Sequence, residues 1–286
     1  MVRTGERVAG ALRVRGTQLS WGERTYVMGI VNVTPDSFSG DGVIDLPDAI
    51  ARAAAQLHDG ADVLDAGGES TRPGHLPVDA AAEIARVVPV IAGARAEFPN
   101  APISVDTYKP AVARAAHEAG ADIVNSVWGA PPELLDVAAE LEMAFVAMHN
   151  QRGMDYERGV VEAVVAFLAD CAARAVARGI PAERVILDPG IGFGKTADQN
   201  LEVLAALPRV VALGFPTMIG TSRKSTLGKL TGREPGDRVY ATAATTALAI
   251  AAGVDVVRVH DVRAARDAAA ISDALVRGWR PERWTG

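Results

Sequence analysis

Two aspartates, Asp106 and Asp188, each close a short apolar run, 103–105 and 185–187. A carboxylate at the end of a buried strand costs free energy unless hydrogen-bond donors meet it. The amino and ring N–H groups of a planar heterocycle are such donors. Asn125, after the apolar pair 123–124, offers both a donor and an acceptor to the same kind of edge. Capping the helix that follows is the competing role for these residues. For Asp106, followed by Thr107-Tyr108-Lys109-Pro110, that alternative stays open.

Cations and hydroxyls gather in three further places. Arg72, in Gly67-Gly68-Glu69-Ser70-Thr71-Arg72-Pro73-Gly74, can clamp a phosphate with two guanidinium N–H groups. Ser222-Arg223-Lys224-Ser225 sets adjacent cations between hydroxyls. Arg258 and His260 are two apart, so on a strand they face the same way. A lone charge of this kind is usually solvated surface, but clusters at neighbouring strand ends read as an anion receiver. Asn32 can ligate a hard cation through its amide oxygen or hydrogen-bond an anion. A plain turn-forming Asn and Pro loop fits the stretch 32–42 equally well.

Asp188-Pro189-Gly190-Ile191-Gly192-Phe193-Gly194-Lys195-Thr196 suggests a phosphate loop, but the spacing excludes it. Such a loop needs glycine five places before the Gly of its Gly-Lys pair, and that place holds Pro189. What remains is a tight glycine loop that can leave Phe193 free to stack on a ligand; plain core is the alternative. The sequence shows no His and Cys metal cluster, no nucleophile elbow and no aromatic–basic interleaving for nucleic acid. Cys171 falls within a helical stretch and reads as a buried structural thiol.

Elements that alternate in strict order would position these groups. Apolar runs at 26–33, 63–66, 103–105, 123–124, 144–148, 185–187, 217–219 and 256–259 are apolar throughout, as strands buried on both faces should be. Helical stretches at 47–59, 78–98, 110–119, 132–141, 160–178, 198–207, 240–252 and 262–277 separate them. Pro47, Pro110 and Pro132 suit first turns, and Gly60, Gly120, Gly179 and Gly253 suit stops. Eight strand–helix units predict a parallel sheet closed as a single-domain (β/α)8 TIM barrel over 1–286, with a doubly wound open sheet as the alternative. The segments 11–14 and 17–20 flank Gly16 and predict an N-terminal β-hairpin that plugs the barrel bottom. In a barrel, functional groups follow the C-terminal ends of the strands. The candidate residues named here do so.

The 286 residues carry 29 Lys and Arg against 35 Asp and Glu, a net charge of −6. That balance argues against a nucleic-acid footprint. No apolar run is long enough to span a bilayer, and the start, with Arg3, Glu6 and Arg7, lacks the apolar centre of a signal peptide. One cysteine permits no intrachain disulfide, so a cytoplasmic location is expected.

Seven segments, MGIVNVTPDSFSGDG, GADVLDAGGESTRPG, SVDTYKP, GADIVNSV, ILDPGIGFGKT, GTSRKS and RVHDV, stand in the order and spacing of one family. The chain resembles the dihydropteroate synthases of the folate pathway over nearly its whole length. The resemblance implies an enzyme that joins (7,8-dihydropterin-6-yl)methyl diphosphate to 4-aminobenzoate and releases diphosphate. It implies that Asp106, Asn125, Met148, Asp188 and Lys224 hold the pterin. Asn32, Arg72, Arg258 and His260 would hold the diphosphate, with Asn32 near a Mg²⁺ ion. Thr71, Pro73, Phe193, Lys224 and Ser225 would surround the aminobenzoate, and Lys224, Asp106 and Arg72 would carry the catalytic roles. A homodimer is implied as well. Ser126 follows Asn125 where the family commonly has an acid, and Asp41 is displaced by one place from the family's order.

The chemistry agrees with the resemblance. Diphosphate leaves readily once cations offset its charge. Its departure leaves a methylene cation conjugated with an electron-rich pterin, an SN1-like course that needs no protein nucleophile. The loops 34–42 and 67–74 are expected to close over bound diphosphate and so complete the aminobenzoate pocket. The alternatives are a pterin-binding methyltransferase and a non-catalytic pterin-binding paralogue. The methyltransferase would not need Arg72, Ser222-Arg223-Lys224-Ser225, Arg258 and His260 as a diphosphate and aminobenzoate site.

Overall fold

The structure is a computed structural model, and it describes residues 8, 10–33, 46–69 and 77–284. The expected loop 34–42 and residues 70–74 of the expected loop 67–74, with Thr71, Arg72 and Pro73 among them, lie outside the described residues.

Strands β1 (Ala11–Val14) and β2 (Thr17–Ser20) form the expected antiparallel hairpin, with Leu12 opposite Leu19. Its two central residues, Arg15 and Gly16, have φ of 50° and 80°. Positive φ at both places is what a two-residue hairpin turn of type I′ requires. Eight parallel strands follow: β3 (Tyr26–Asn32), β4 (Val63–Gly67), β5 (Ile103–Asp106), β6 (Ile123–Ser126), β7 (Ala144–Met148), β8 (Val185–Asp188), β9 (Met218–Ile219) and β10 (Val256–Val259). Their order is β8-β7-β6-β5-β4-β3-β10-β9. A bridge from Leu187 to Thr217 and a hydrogen bond from Leu187 N to Pro216 O (2.9 Å) join β8 to β9. The sheet therefore closes, and the open-sheet alternative is excluded.

Helices α1 (Leu46–His58), α2 (Ala80–Glu97), α3 (Pro110–Glu118), α4 (Pro132–Glu140), α5 (Val160–Ala177), α6 (Ala197–Ala205), α9 (Val239–Ala251) and α10 (Val262–Val276) match the eight expected stretches to within two residues at either end. Two short helices, α7 (Leu207–Val211) and α8 (Ser225–Thr231), were not expected. Helix α8 is too short for its period to stand out, and it contains Gly228. The Arg238 guanidinium packs against that glycine, with Nη2 2.2 Å from where a Cβ would stand.

Strand alternation sorts the side chains into two cores. Val27, Leu64, Val105, Val124, Phe145, Leu187 and Val257 point outward and pack with the helices. Met28, Val63, Ile123, Val146, Ile186, Met218 and Val256 fill the lower barrel interior, where Leu12 and Leu19 of the hairpin join them. The hairpin is thus the expected plug.

Two residues higher on the inner face, the same alternation brings Asp65, Asn125, Asp188 and Arg258. The runs 63–66 and 103–105 are therefore not apolar throughout: Asp65 and Ser104 are both fully buried polar residues. The physical reason is that the outer strand face always meets helices, whereas the inner face turns polar where the barrel opens. No helix among the described residues is long and apolar enough to cross a membrane.

Candidate active site

The upper barrel interior is built around Arg258. Its Nε donates to Asp65 Oδ2 at 2.6 Å, and its Nη2 donates to Asp106 Oδ2 at 2.9 Å. Asn125 Nδ2 donates to the same Asp65 oxygen at 3.1 Å. Asp65 was not among the expected site residues, yet it accepts from two that were, Arg258 and Asn125. The signal was present: an acid inside an otherwise apolar strand must find a partner. Asp65 Oδ1 and Asp106 Oδ1 are shut off from solvent and meet no donor among the described residues.

Neither expected aspartate is a helix cap. Lys109 occupies the N-cap of α3, with no side-chain cap bond. Thr196 caps α6 in a reciprocal box with Gln199. Burial pushes the Asp106 carboxyl up to about 7, with Arg258 opposing and Asp65 reinforcing the shift. Burial also raises Asp188, against the Gly190 N–H and the charges of Lys224 and Arg258. The sign of a pH effect follows. N–H donors of a ligand favour the ionised carboxylate, so pterin affinity should fall as pH drops through about 7 and level off above it. Titration calorimetry with a pterin across pH 5.5–8.5, a span of roughly one and a half units either side of that value, checks this. A flat profile would remove Asp106 from ligand recognition.

The second half of the site lies after β8 and β9. Lys224 Nζ stands 4.0 Å above the centre of the half-buried Phe193 ring. A Cβ on Gly192 would come within 3.0 Å of Lys224 Cδ, so the lysine stem lies along the glycine loop. The turn that presents Lys224 is held from outside. Arg238 Nη1 donates to Arg223 O at 2.8 Å. Arg223, at a φ of 59°, forms a two-pronged pair with Asp261 at 3.0 and 2.5 Å.

Ser222 Oγ accepts from His260 N at 3.1 Å and lies 3.0 Å from His260 Nδ1. Either partner can donate in the contact with Nδ1, because the hydroxyl carries one donor and two acceptor lone pairs. Burial, with the Arg258 and Arg223 charges adding, lowers His260 to about 3. The imidazole is therefore a neutral N–H donor at pH 7, and the positive charge of this rim belongs to its arginines and lysine.

The comparisons with known proteins agree with this geometry. The model of the pterin-binding enzyme family matches residues 28–260, from β3 to just past β10. A dihydropteroate synthase of Synechocystis is 45% identical over 282 residues, 94% of this chain and 95% of the relative. One from Clostridium beijerinckii is 42% identical over 270 residues, 93% of this chain and all of the relative. The chain belongs to the dihydropteroate synthase family. A solved dihydropteroate synthase from Xanthomonas albilineans, bound to 4-aminobenzoic acid, superposes with a TM-score of 0.88. It is 43% identical, with 94% of this chain and 98% of that one covered.

Measured against the dihydropteroate synthase pattern, the expected residues fall into two groups. Asp106, Asn125, Met148 and Asp188 end neighbouring strands, with Asp106 beside Asn125 and Met148 beside Asp188 in register. Phe193 and Lys224 form the second group, and Ser225, exposed, opens α8 next to them. Asn32 joins the first group across a gap. A Cβ on Gly67 would sit 3.7 Å from Asp106 Oδ2 and 3.9 Å from Asn32 Oδ1. Ser126, standing where the family commonly has an acid, is buried behind Asn125, and its Oγ meets no partner among the described residues.

Lys195, at the end of the glycine loop, is buried. Burial pulls its ammonium below the ordinary range, against the attraction of Asp188.

Proposed function

We infer that this protein condenses (7,8-dihydropterin-6-yl)methyl diphosphate with 4-aminobenzoate, releasing diphosphate and forming 7,8-dihydropteroate, at the upper barrel mouth. The observation that carries the reading is the convergence of Asp106, Asn125 and Asp188 on the inner face beside the Arg258 guanidinium. Acceptors for a heterocycle's N–H groups and a donor for its diphosphate thus share one cavity end.

In this reading Asp106, Asn125 and Asp188 take the polar edge of the pterin, and Met148 packs on its ring. Arg258 and the neutral His260 donate to the diphosphate oxygens, together with Arg72. Phe193, Lys224 and Ser225 border the aminobenzoate, with Thr71 and Pro73 completing that pocket. The positive charge of Arg258 and Lys224 stabilises the leaving diphosphate as it gains charge. The same wall of buried groups keeps water from the methylene cation until the aromatic amine attacks it.

The donor set also fits Mg²⁺. Asn32 Oδ1 and Asp106 Oδ2 both face the gap above Gly67, and Mg²⁺ is commonly held by one or two protein oxygens plus substrate phosphates. Asn32 would hold it, and when bound it offsets charge on the phosphate oxygens.

Exposed apolar side chains on the outer surface support a homodimer. Helices α9 and α10 lie side by side and expose Tyr240, Leu248, Ile271 and Leu275. A contiguous apolar face of this kind marks an interface, and we assign it to a second copy of the chain. The lone buried Cys171 thiol suits a reducing cytoplasm.

Release of pyrophosphate that requires both substrates tests the reaction, and it separates a synthase from a methyltransferase or a silent pterin binder. Asp188→Asn refines the test. It exchanges an acceptor for a partial donor and mismatches one pterin N–H, which costs about 1–3 kcal/mol. The pterin KM should rise with the fold retained in a thermal melt. Unchanged KM and kcat would remove Asp188 from pterin recognition.

A further inference from the structure

Lys195 is the one cation of the β8–α6 connection, and it is turned inward. Its Nζ donates to Gly190 O at 2.9 Å and to Phe193 O at 3.0 Å, and it lies 2.9 Å from His149 Nδ1. An ammonium has three N–H groups, so these three partners use all of them. His149 is neutral, since burial and the Lys195 charge lower it to about 3.

The strap that Lys195 holds is a glycine turn, closed at Phe193 by the bond from Phe193 N to Gly190 O at 3.2 Å. Gly190 and Gly194 have φ of 68° and 56°. Both press against the segment after β7: a Cβ would lie 1.9 Å from His149 O at Gly190 and 2.5 Å from Gln151 O at Gly194. Glycine alone permits this approach, but it also leaves the backbone the most freedom to lose. Further bonds pin the strap elsewhere. Tyr156 Oη donates to Gly194 O at 2.7 Å, Gly192 N donates to Asn200 Oδ1 at 2.7 Å, and Gly190 N donates to Asp188 Oδ1 at 2.7 Å. The one large side chain leaving the strap towards the mouth is Phe193, under Lys224.

We propose that Lys195 is a positioning residue for the aminobenzoate pocket: it fixes the backbone of Phe193, and so the ring beneath Lys224, without touching either substrate. The proposal rests on the reading above that Phe193 and Lys224 border the aminobenzoate. It predicts a selective effect. Asp106 and Asn125 are held by Arg258 and Asp65 on other strands, and among the pterin groups Asp188 meets the strap through the Gly190 N–H, so the aminobenzoate side should respond more than the pterin side.

The test measures KM for both substrates in Lys195→Gln, Tyr156→Phe and Phe193→Ala. Lys195→Gln keeps a single amide donor group in place of three N–H bonds, and the aminobenzoate KM should rise about tenfold, as the loss of one to two net hydrogen bonds implies. Tyr156→Phe releases only the Gly194 end and should raise it about threefold, within the range for one hydrogen bond. The pterin KM should rise less than the aminobenzoate KM in both, since only the Gly190 N–H links the strap to Asp188. If Lys195→Gln does not fold, Tyr156→Phe decides alone. Should Phe193→Ala raise the aminobenzoate KM while the strap variants leave it unchanged, or raise both KM values in parallel, the positioning role is overturned. Should Phe193→Ala itself leave the aminobenzoate KM unchanged, the pocket assignment fails, and the proposal with it.

Discussion

Replacing Lys224 by alanine should cut turnover at least about a hundredfold, the usual scale for removing one preorganised charge from a transition state. The residue stands where both halves of the site meet. Its ammonium lies over the Phe193 ring at 4.0 Å, and its charge lowers the carboxyls of Asp106 and Asp188 against their burial. No other lysine combines these contacts among the described residues. The fold should survive the change. Lys224 is only partly buried, and its turn is held through the backbone, by the bond from Lys224 N to Thr221 O (3.2 Å) and by Arg238 on Arg223 O. Steady-state rates and a thermal melt on the same preparation check both statements. Turnover near that of the unmodified protein would count against the whole assignment of the second pocket.

Asp65→Ala should act on stability and binding together. Asp65 is fully buried and carries the Nε contact of Arg258 and the amide of Asn125. Without it the guanidinium, itself only 19% exposed, keeps Asp106 as its remaining carboxylate partner. Breaking a buried ion pair by removing one member costs about 3–5 kcal/mol. Chemical denaturation should show a loss of that size, and pterin binding should weaken because Arg258 and Asn125 lose their common anchor. Asp65→Asn retains an acceptor oxygen and should lose less of both. Wild-type stability in Asp65→Ala would mean that Arg258 finds an equivalent partner, and the anchoring role would fall.

Much of the architecture was legible before any coordinates. Helical and strand periods are local properties, which is why the eight helices and the hairpin lie where the residues predict. Pro110 and Pro132 do open their helices. The candidate groups follow strand ends because barrel chemistry is confined to that face, so Asp106, Asn125, Asp188, Lys224 and Arg258 could be named from position and type. Closure of the sheet could not, since an open sheet shares the same alternation and only the join between Leu187 and Thr217 distinguishes them.

Other features depend on partners far apart in the chain. Asp65 reads as an odd residue in an apolar strand until Arg258, 193 residues away, reaches it. His260 looks like a cation in the sequence, and it is the surrounding burial and arginine charge that make it a neutral donor. Lys195 looks like a rim cation, and it is the approach of His149 from the neighbouring strand that turns it into an inward clamp. Local patterns set the elements and the face on which chemistry gathers, because they depend on periods of a few residues. Charge state and anchoring depend on which groups packing brings within about 3 Å, and no short-range pattern contains that distance.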